Sequence, residues 1–234
     1  MEQLFPGKAR RILIVASHPD DEVLGCGGTI AQLAREHEVH IIILGEGVSS
    51  RYNHRQDVAR QELQQIQDEA RAVAALLNAR SVDFGGLPDN RFDELPLLDV
   101  IKEVKRRVDE LQPEVIYTHH PGDLNIDHQI TFRAVLTATR PMRGCPVREI
   151  YAFEVLSSSE WAFQRFEPTF KPNVFVDVSG TIETKVRAML TYTGEVRPFP
   201  HPRSPEAIRA LARRWGSVVG VEYAEALELV RSVR

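Results

Sequence analysis

Two short stretches concentrate the residue types that do chemistry. Ser17-His18-Pro19-Asp20-Asp21-Glu22 and His119-His120-Pro121-Gly122-Asp123-Leu124-Asn125-Ile126-Asp127-His128 hold four of the eight histidines. Three acids in a row repel one another, and such a run is favourable in a tight buried loop only where a cation neutralises it. A divalent metal supplies that charge. His18, Asp21 and His128 offer two imidazoles and a carboxylate, three protein ligands with an open fourth position, which is the pattern of a catalytic zinc site. Asp20 then stands beside the metal but off it, where a free carboxylate serves as general base. The bland alternative has His18 and the acids capping the helix that follows, with His128 on its surface. The second histidine-rich loop weighs against it.

Asp127 reads as a helix N-cap, with Ile130, Ala134 and Val135 on the helix behind it. His128 would then sit in the first turn, where the helix dipole disfavours imidazolium and favours the neutral ring a metal needs. Alternatively Asp127 orients an imidazole from behind. The sequence leaves both open.

These residues need elements to position them. Apolar runs at Ile12–Ala16, Val39–Leu44, Val82–Phe84, Val115–Thr118, Ile150–Val155 and Val174–Val178 are short, β-branched and mostly continuous, as in strands buried on both faces. Between them Leu63, Ile66, Ala70, Val73, Ala74 and Leu77 share one helical face, as do Leu97, Ile101, Val104, Val108 and Leu111. Ser204-Pro205-Glu206 starts a late helix, with Gly216 as its stop. Strand and helix alternate from residue 12 to about 137. The expected fold is α/β: a Rossmann-like open, mostly parallel sheet with helices on both faces, one domain over residues 1–234 with a C-terminal elaboration. In such sheets ligands bind beyond the carboxyl ends of the strands, where both loops lie.

The 234 residues are 43% hydrophobic and 26% charged, which excludes a disordered chain and a fibre. With 29 basic against 33 acidic residues the net charge is −4, so no nucleic acid or anionic membrane surface is expected as partner. Cys26 and Cys145 make neither a disulfide framework nor a CxxC site. The first apolar run is too short for a signal peptide or a membrane span, and a cytoplasmic protein is expected. Gly25, Gly27 and Gly28 stand seven residues or more beyond the first strand, too far for a dinucleotide fingerprint, and close helix-on-sheet packing accounts for them better.

Ser-His-Pro-Asp-Asp-Glu followed by Leu24-Gly25-Cys26-Gly27-Gly28 resembles the LmbE/PIG-L family of zinc-dependent deacetylases. The resemblance continues through Gly45-Glu46-Gly47, Leu87-Pro88-Asp89, Asp123–His128, Tyr192, His201–Glu206 and Tyr223–Ala226. It implies a hydrolase that removes an N-acetyl group from an amino sugar or glucosaminide-type conjugate. His18, Asp21 and His128 match the family's zinc ligands, and Asp20 its general base toward a zinc-bound water. Other divalent ions, Fe2+ among them, suit the same donors. Many members carry a histidine three residues before the last ligand, thought to stabilise the oxyanion; here that position is Asn125. Either Asn125 takes the electrostatic role alone, or His120 or His201 supplies the missing imidazole. His201 is the preferred candidate, in its proline-framed loop. Glu46, Arg51, Asp89, Arg203 and Tyr192 are further candidates for the pocket wall. Relatives often form closed rings, so the resemblance admits a homo-oligomer.

Two other classes compete. His18, Asp20 and His128 also spell the two-histidine, one-carboxylate set of non-haem iron oxygenases, but that leaves Asp21 without a role. A non-catalytic nucleotide- or sugar-binding module is the third, and the intact core positions argue against it.

Overall fold

The computed structural model describes residues 9–234. Among the described residues seven strands form one sheet: β1 (Arg11–Ala16), β2 (Glu38–Gly45), β3 (Ser81–Leu87), β4 (Val115–His119), β5 (Glu149–Phe153), β6 (Val174–Asp177) and β7 (Ala224–Ser232). Six helices accompany them: α1 (Asp21–Leu33), α2 (Arg60–Leu76), α3 (Leu97–Leu111), α4 (Ile126–Ala138), α5 (Ile182–Thr191) and α6 (Pro205–Val219). The strand order is β3-β2-β1-β4-β5-β7-β6. Pairs from β3 through β5 are parallel, whereas β7 is antiparallel to both neighbours. The fold is α/β with a mostly parallel sheet.

Burial explains why the strands read as continuous apolar runs. Along β1, Ile12, Ile14 and Ala16 join one core while Leu13 and Val15 join the other, and all five are fully buried. The first core also takes Ile66 and Val73 of α2, Val186 and Met189 of α5, and Ile208 and Ala212 of α6. The second takes Val100, Val104 and Val108 of α3 with Ala134 and Val135 of α4. Both faces are covered, as parallel strands require.

Helix α6 runs past Gly216 and ends at Gly220, whose φ of 80° closes it with a backbone bond to Gly216 O. Gly216 is instead a point of close approach: a Cβ there would meet Val221 O at 2.6 Å. The seventh strand, absent from the sequence reading, contains Glu225 and Glu228.

The glycine-rich part of α1 is a packed kink. Cys26 departs from helical geometry at φ −147° and ψ 28°, so the turn loses its regular bonds. Glu225 replaces them, accepting from Gly28 N at 2.9 Å and Thr29 N at 2.7 Å, while Lys185 Nζ donates to Leu24 O at 2.9 Å and Glu225 at 2.6 Å. A Cβ on Gly25 would lie 2.3 Å from the Phe153 ring, and one on Gly28 would lie 2.8 Å from Val178. The glycines serve helix-on-sheet packing. They do not form a phosphate-binding loop at the sheet edge.

Candidate active site

The strand order reverses between β1 and β4, and the loops leaving these two strands meet there. Ser17 ties them together. Its backbone N–H donates to His119 Nε2 at 2.9 Å, and its hydroxyl pairs with Thr131 Oγ1 at 2.7 Å. The residues between them surround a cavity of about 210 Å3, lined among others by His18, Asp20, Asp21, Asn125, His128 and Arg203.

Three donor atoms converge on one point of this wall. His18 Nδ1, Asp21 Oδ2 and His128 Nε2 form a triangle with all three edges at 3.3 Å. Donors held about 2.0–2.1 Å from one ion in a tetrahedral arrangement lie about 3.3–3.4 Å apart. The set therefore fits a divalent metal. All three residues are buried or nearly so, which leaves the Asp21 carboxylate dependent on local positive charge. Among the described residues one other group meets the same distance test: His18, Asp89 and Asp127.

Each imidazole is held from behind. His18 Nε2 lies 3.0 Å from Asp127 Oδ2, and the other Asp127 oxygen accepts from Phe92 N at 2.9 Å. His128 Nδ1 lies 3.2 Å from Asp123 Oδ1. Asp123 is in turn held by the Ser158 and Ser159 hydroxyls and by Asn125 N. A carboxylate behind the ring fixes the tautomer so that the opposite nitrogen keeps its lone pair. Asp127 is thus not the N-cap of α4. Asn125 is, its side-chain oxygen accepting from Asp127 N at 2.8 Å. Asp127 orients His18, and the ring it was placed beside in sequence, His128, is oriented by Asp123.

The electrostatics follow from this packing. Burial alone would lower the His128 pKa, but Asp21 and Asp123 outweigh it and raise it to about 9. The two carboxylates thus favour the charged ring, against the neutral one that the first turn of a helix would favour. Asp123 is pushed up by burial, yet its bonds to His128, Ser158 and Ser159 bring it down to about 2. Asp21 is held well below the usual carboxylate range: His128 and His119 overcome its burial. Asp20 goes the other way. Burial raises it well above the usual range, Arg203 opposes, and Asp21, Glu195 and Glu22 reinforce burial.

Asp20 lies off the triangle. Its Oδ2 is 3.0 Å from Arg203 Nη1, which also donates to Glu195 Oε2 at 2.6 Å. Its φ of 105° is a strained value for a residue with a side chain. It places Asp20 at the N-cap of α1, on the same cavity wall as the three donor residues.

The other expected residues divide. Asn125, Arg51, Asp89 and Arg203 line the cavity. His201 does not: its Nδ1 accepts from Arg203 N at 3.1 Å and its ring packs edge-on to Trp161, so it shapes the turn that presents Arg203. His120 is tied to Gly122 N and lies 3.4 Å from Glu228, away from the cavity wall. Glu46 pairs with Arg55. Tyr192 is fully buried and donates to Glu22 at 2.6 Å. The iron-oxygenase ligand set is not assembled: Asp21, not Asp20, completes the triangle with the two histidines. Sequence reasoning missed the support role of Asp123 and the wall residues Asn90, Ser157, Ser158 and Glu195. Neither periodicity nor a metal-type spacing marks them.

Residues 13–139 match the family described as PIG-L, GlcNAc-PI de-N-acetylase. The diacetylchitobiose deacetylase of Thermococcus kodakarensis is 25% identical over 96% of this chain and 84% of its own length. The 1D-myo-inositol 2-acetamido-2-deoxy-alpha-D-glucopyranoside deacetylase of Mycolicibacterium smegmatis is 24% identical over 83% of each chain. Among solved structures, the 4-carboxy-2-hydroxymuconate hydratase GalB of Pseudomonas putida superposes with a TM-score of 0.75 at 22% identity, over 96% of this chain and 98% of that one. The last likeness concerns the fold alone. The family match spans more than half of the sequence and contains both loops of the site: the chain belongs to the PIG-L family of de-N-acetylases.

Proposed function

We propose that this protein is a metal-dependent hydrolase that removes the N-acetyl group from an amino sugar or glucosaminide-type conjugate. The observation that carries the reading is the 3.3 Å triangle of His18, Asp21 and His128 beside the Asp20 carboxylate, which lies off the triangle in a polar cavity. Nitrogen and oxygen donors in this number suit zinc, and Fe2+ is the next candidate. When bound, such an ion polarises the amide oxygen and, for zinc, brings the pKa of a water to about 7.

The chain's own residues do the rest. Asp20 accepts a proton from the attacking water as its oxygen bonds to the acyl carbon. It then delivers that proton to the nitrogen as the C–N bond breaks, leaving acetate and a free amine. Arg203, 3.0 Å away and itself paired with Glu195, fixes the carboxylate's position. Asn125 turns its side-chain amide to the cavity and donates to the amide oxygen as charge develops there. It cannot move a proton, so proton transfer rests on Asp20 alone.

The wall suits a polyhydroxyl compound: Asp89, Glu195, Ser157 and Arg51 offer donors and acceptors around a space sized for one ring. The amino-sugar deacetylases among its relatives support the same class. No helix among the described residues is long and apolar enough to cross a membrane. Two free cysteines, one of them buried, favour a reducing compartment such as the cytoplasm. The test is metal removal. Dialysis against a chelator should abolish amine release from N-acetylated glucosaminides, and one equivalent of zinc should restore it. Full turnover by a chain that metal analysis finds empty would contradict the reading.

A further inference from the structure

Five residues at the site, His18, Asp127, Asn125, Asn90 and Asp89, close into a ring of polar contacts. His18 Nε2 lies 3.0 Å from Asp127 Oδ2. The Asp127 backbone N–H donates to Asn125 Oδ1 at 2.8 Å. Asn125 Nδ2 donates to Asn90 Oδ1 at 2.8 Å. Asn90 Nδ2 donates to Asp89 Oδ1 at 3.2 Å. Asp89 Oδ1 returns to within 3.3 Å of His18 Nε2.

The ring fixes which way both amides face. A side-chain amide can ordinarily be turned over, exchanging its donor and acceptor ends. Here the relay starts from an unambiguous end, because a backbone N–H only donates, and each later direction follows from it. Asn125 must present oxygen to Asp127 N, so its NH2 faces outward. Asn90 must then present oxygen to Asn125, so its NH2 faces Asp89. One of the two Asn125 Nδ2 hydrogens is thereby taken. The other has no protein partner among the described residues, and Asn125 lines the cavity. Asn90 holds a left-handed backbone, φ 53°, and lines the same cavity.

We propose that Asn90 is a positioning residue: it locks the Asn125 amide so that the free N–H is aimed at the substrate amide oxygen, at a distance from His18 fixed by the ring. This rests on the deacetylase reading and adds what that reading does not supply, the reason an amide can serve where an imidazole would titrate. The donor is neutral at every working pH, and its aim is set by Asn90 and Asp89 rather than by protonation.

The test combines a spectrum with a kinetic cycle on the zinc-loaded protein. Asn90→Gly keeps the left-handed backbone available and removes only the amide. Asn125→Asp keeps the helix cap and removes the donor. In a 15N–1H spectrum the wild-type Asn125 side chain should show one amide hydrogen protected from exchange, and Asn90→Gly should remove that protection. With an N-acetylglucosaminide, Asn125→Asp should lower kcat on the order of a hundredfold or more. Asn90→Gly should lower kcat about tenfold with KM nearly unchanged, and should have no further effect in the Asn125→Asp background. Asn125→His should regain turnover and add an ionisation near neutral pH that the wild-type profile lacks. An Asn125 amide that exchanges freely in the wild type, or losses that simply add in the double variant, would overturn the positioning role. A wild type that releases no amine from any N-acetyl sugar would instead overturn the deacetylase reading, while the spectrum still decides whether Asn90 locks Asn125.

Discussion

The residues that matter most are those behind the donor triangle. With the His128 pKa raised to about 9, the ring is an imidazolium at pH 7 in the metal-free chain, and a metal needs it neutral. Zinc uptake at pH 7 should therefore release at least one proton, readable by calorimetry in buffers of different ionisation enthalpy. Apparent affinity should rise at least tenfold per pH unit between pH 7 and about 9. The second imidazole of the triangle, His18, adds to the slope: burial lowers it, yet Asp127 and Asp21 raise it well above its ordinary value. The sign for stability is opposite. His128 is raised above its unfolded value, so its contribution to the metal-free fold is complete below about pH 6.5 and is lost as pH climbs through 9. Binding with no proton release at pH 7 would place the metal elsewhere. Of the three donor residues Asp123 contacts His128, so Asp123→Asn should weaken zinc binding by about 10–100-fold without removing a donor from the triangle. Competition with a chromogenic chelator would measure it.

At the scale of elements, the loops are aimed by a kinked helix and a late strand. Glu225 on β7 and Lys185 on α5 satisfy backbone groups that the kink at Cys26 leaves open, and both side chains are buried. Lys185→Met would take the cation away from the buried Glu225 carboxyl. It should cost about 3–5 kcal/mol in a denaturation experiment, far more than loss of a surface pair. What could be read in the sequence follows the same line. Strands β1 to β6 and helices α2 and α3 announce themselves because burial on two faces, or on one stripe, writes a period into the residues. Strand β7 does not, since Glu225, Glu228 and Arg231 break its apolar run, and each has a partner only in three dimensions. Gly216 looked like a stop because a helix rarely keeps glycine. Here the packed backbone of residues 221 and 222 leaves no room for a Cβ.

For the whole molecule, the sheet brings two loops a hundred residues apart to the point where strand order reverses. His18, Asp21, His128 and Asp20, which the fold gathers at one wall, stood out because their residue types are costly to bury without a purpose. The supporting shell did not: Asp123, Asn90 and Glu195 are common loop residues whose work appears only once their partners are placed. His201 misled for the converse reason, a chemically able side chain that the fold spends on a turn. The central claim is that Asp20 moves the proton in an amide hydrolysis. The most direct measurement is free-amine release from a panel of N-acetylamino sugars, nucleotide sugars and glucosaminides, with the zinc-loaded wild type beside Asp20→Asn. The account predicts release by the wild type, and a kcat lower by about 10²–10⁴-fold in the variant at unchanged zinc content. Equal release by both proteins, or none by a fully zinc-loaded wild type, would contradict it.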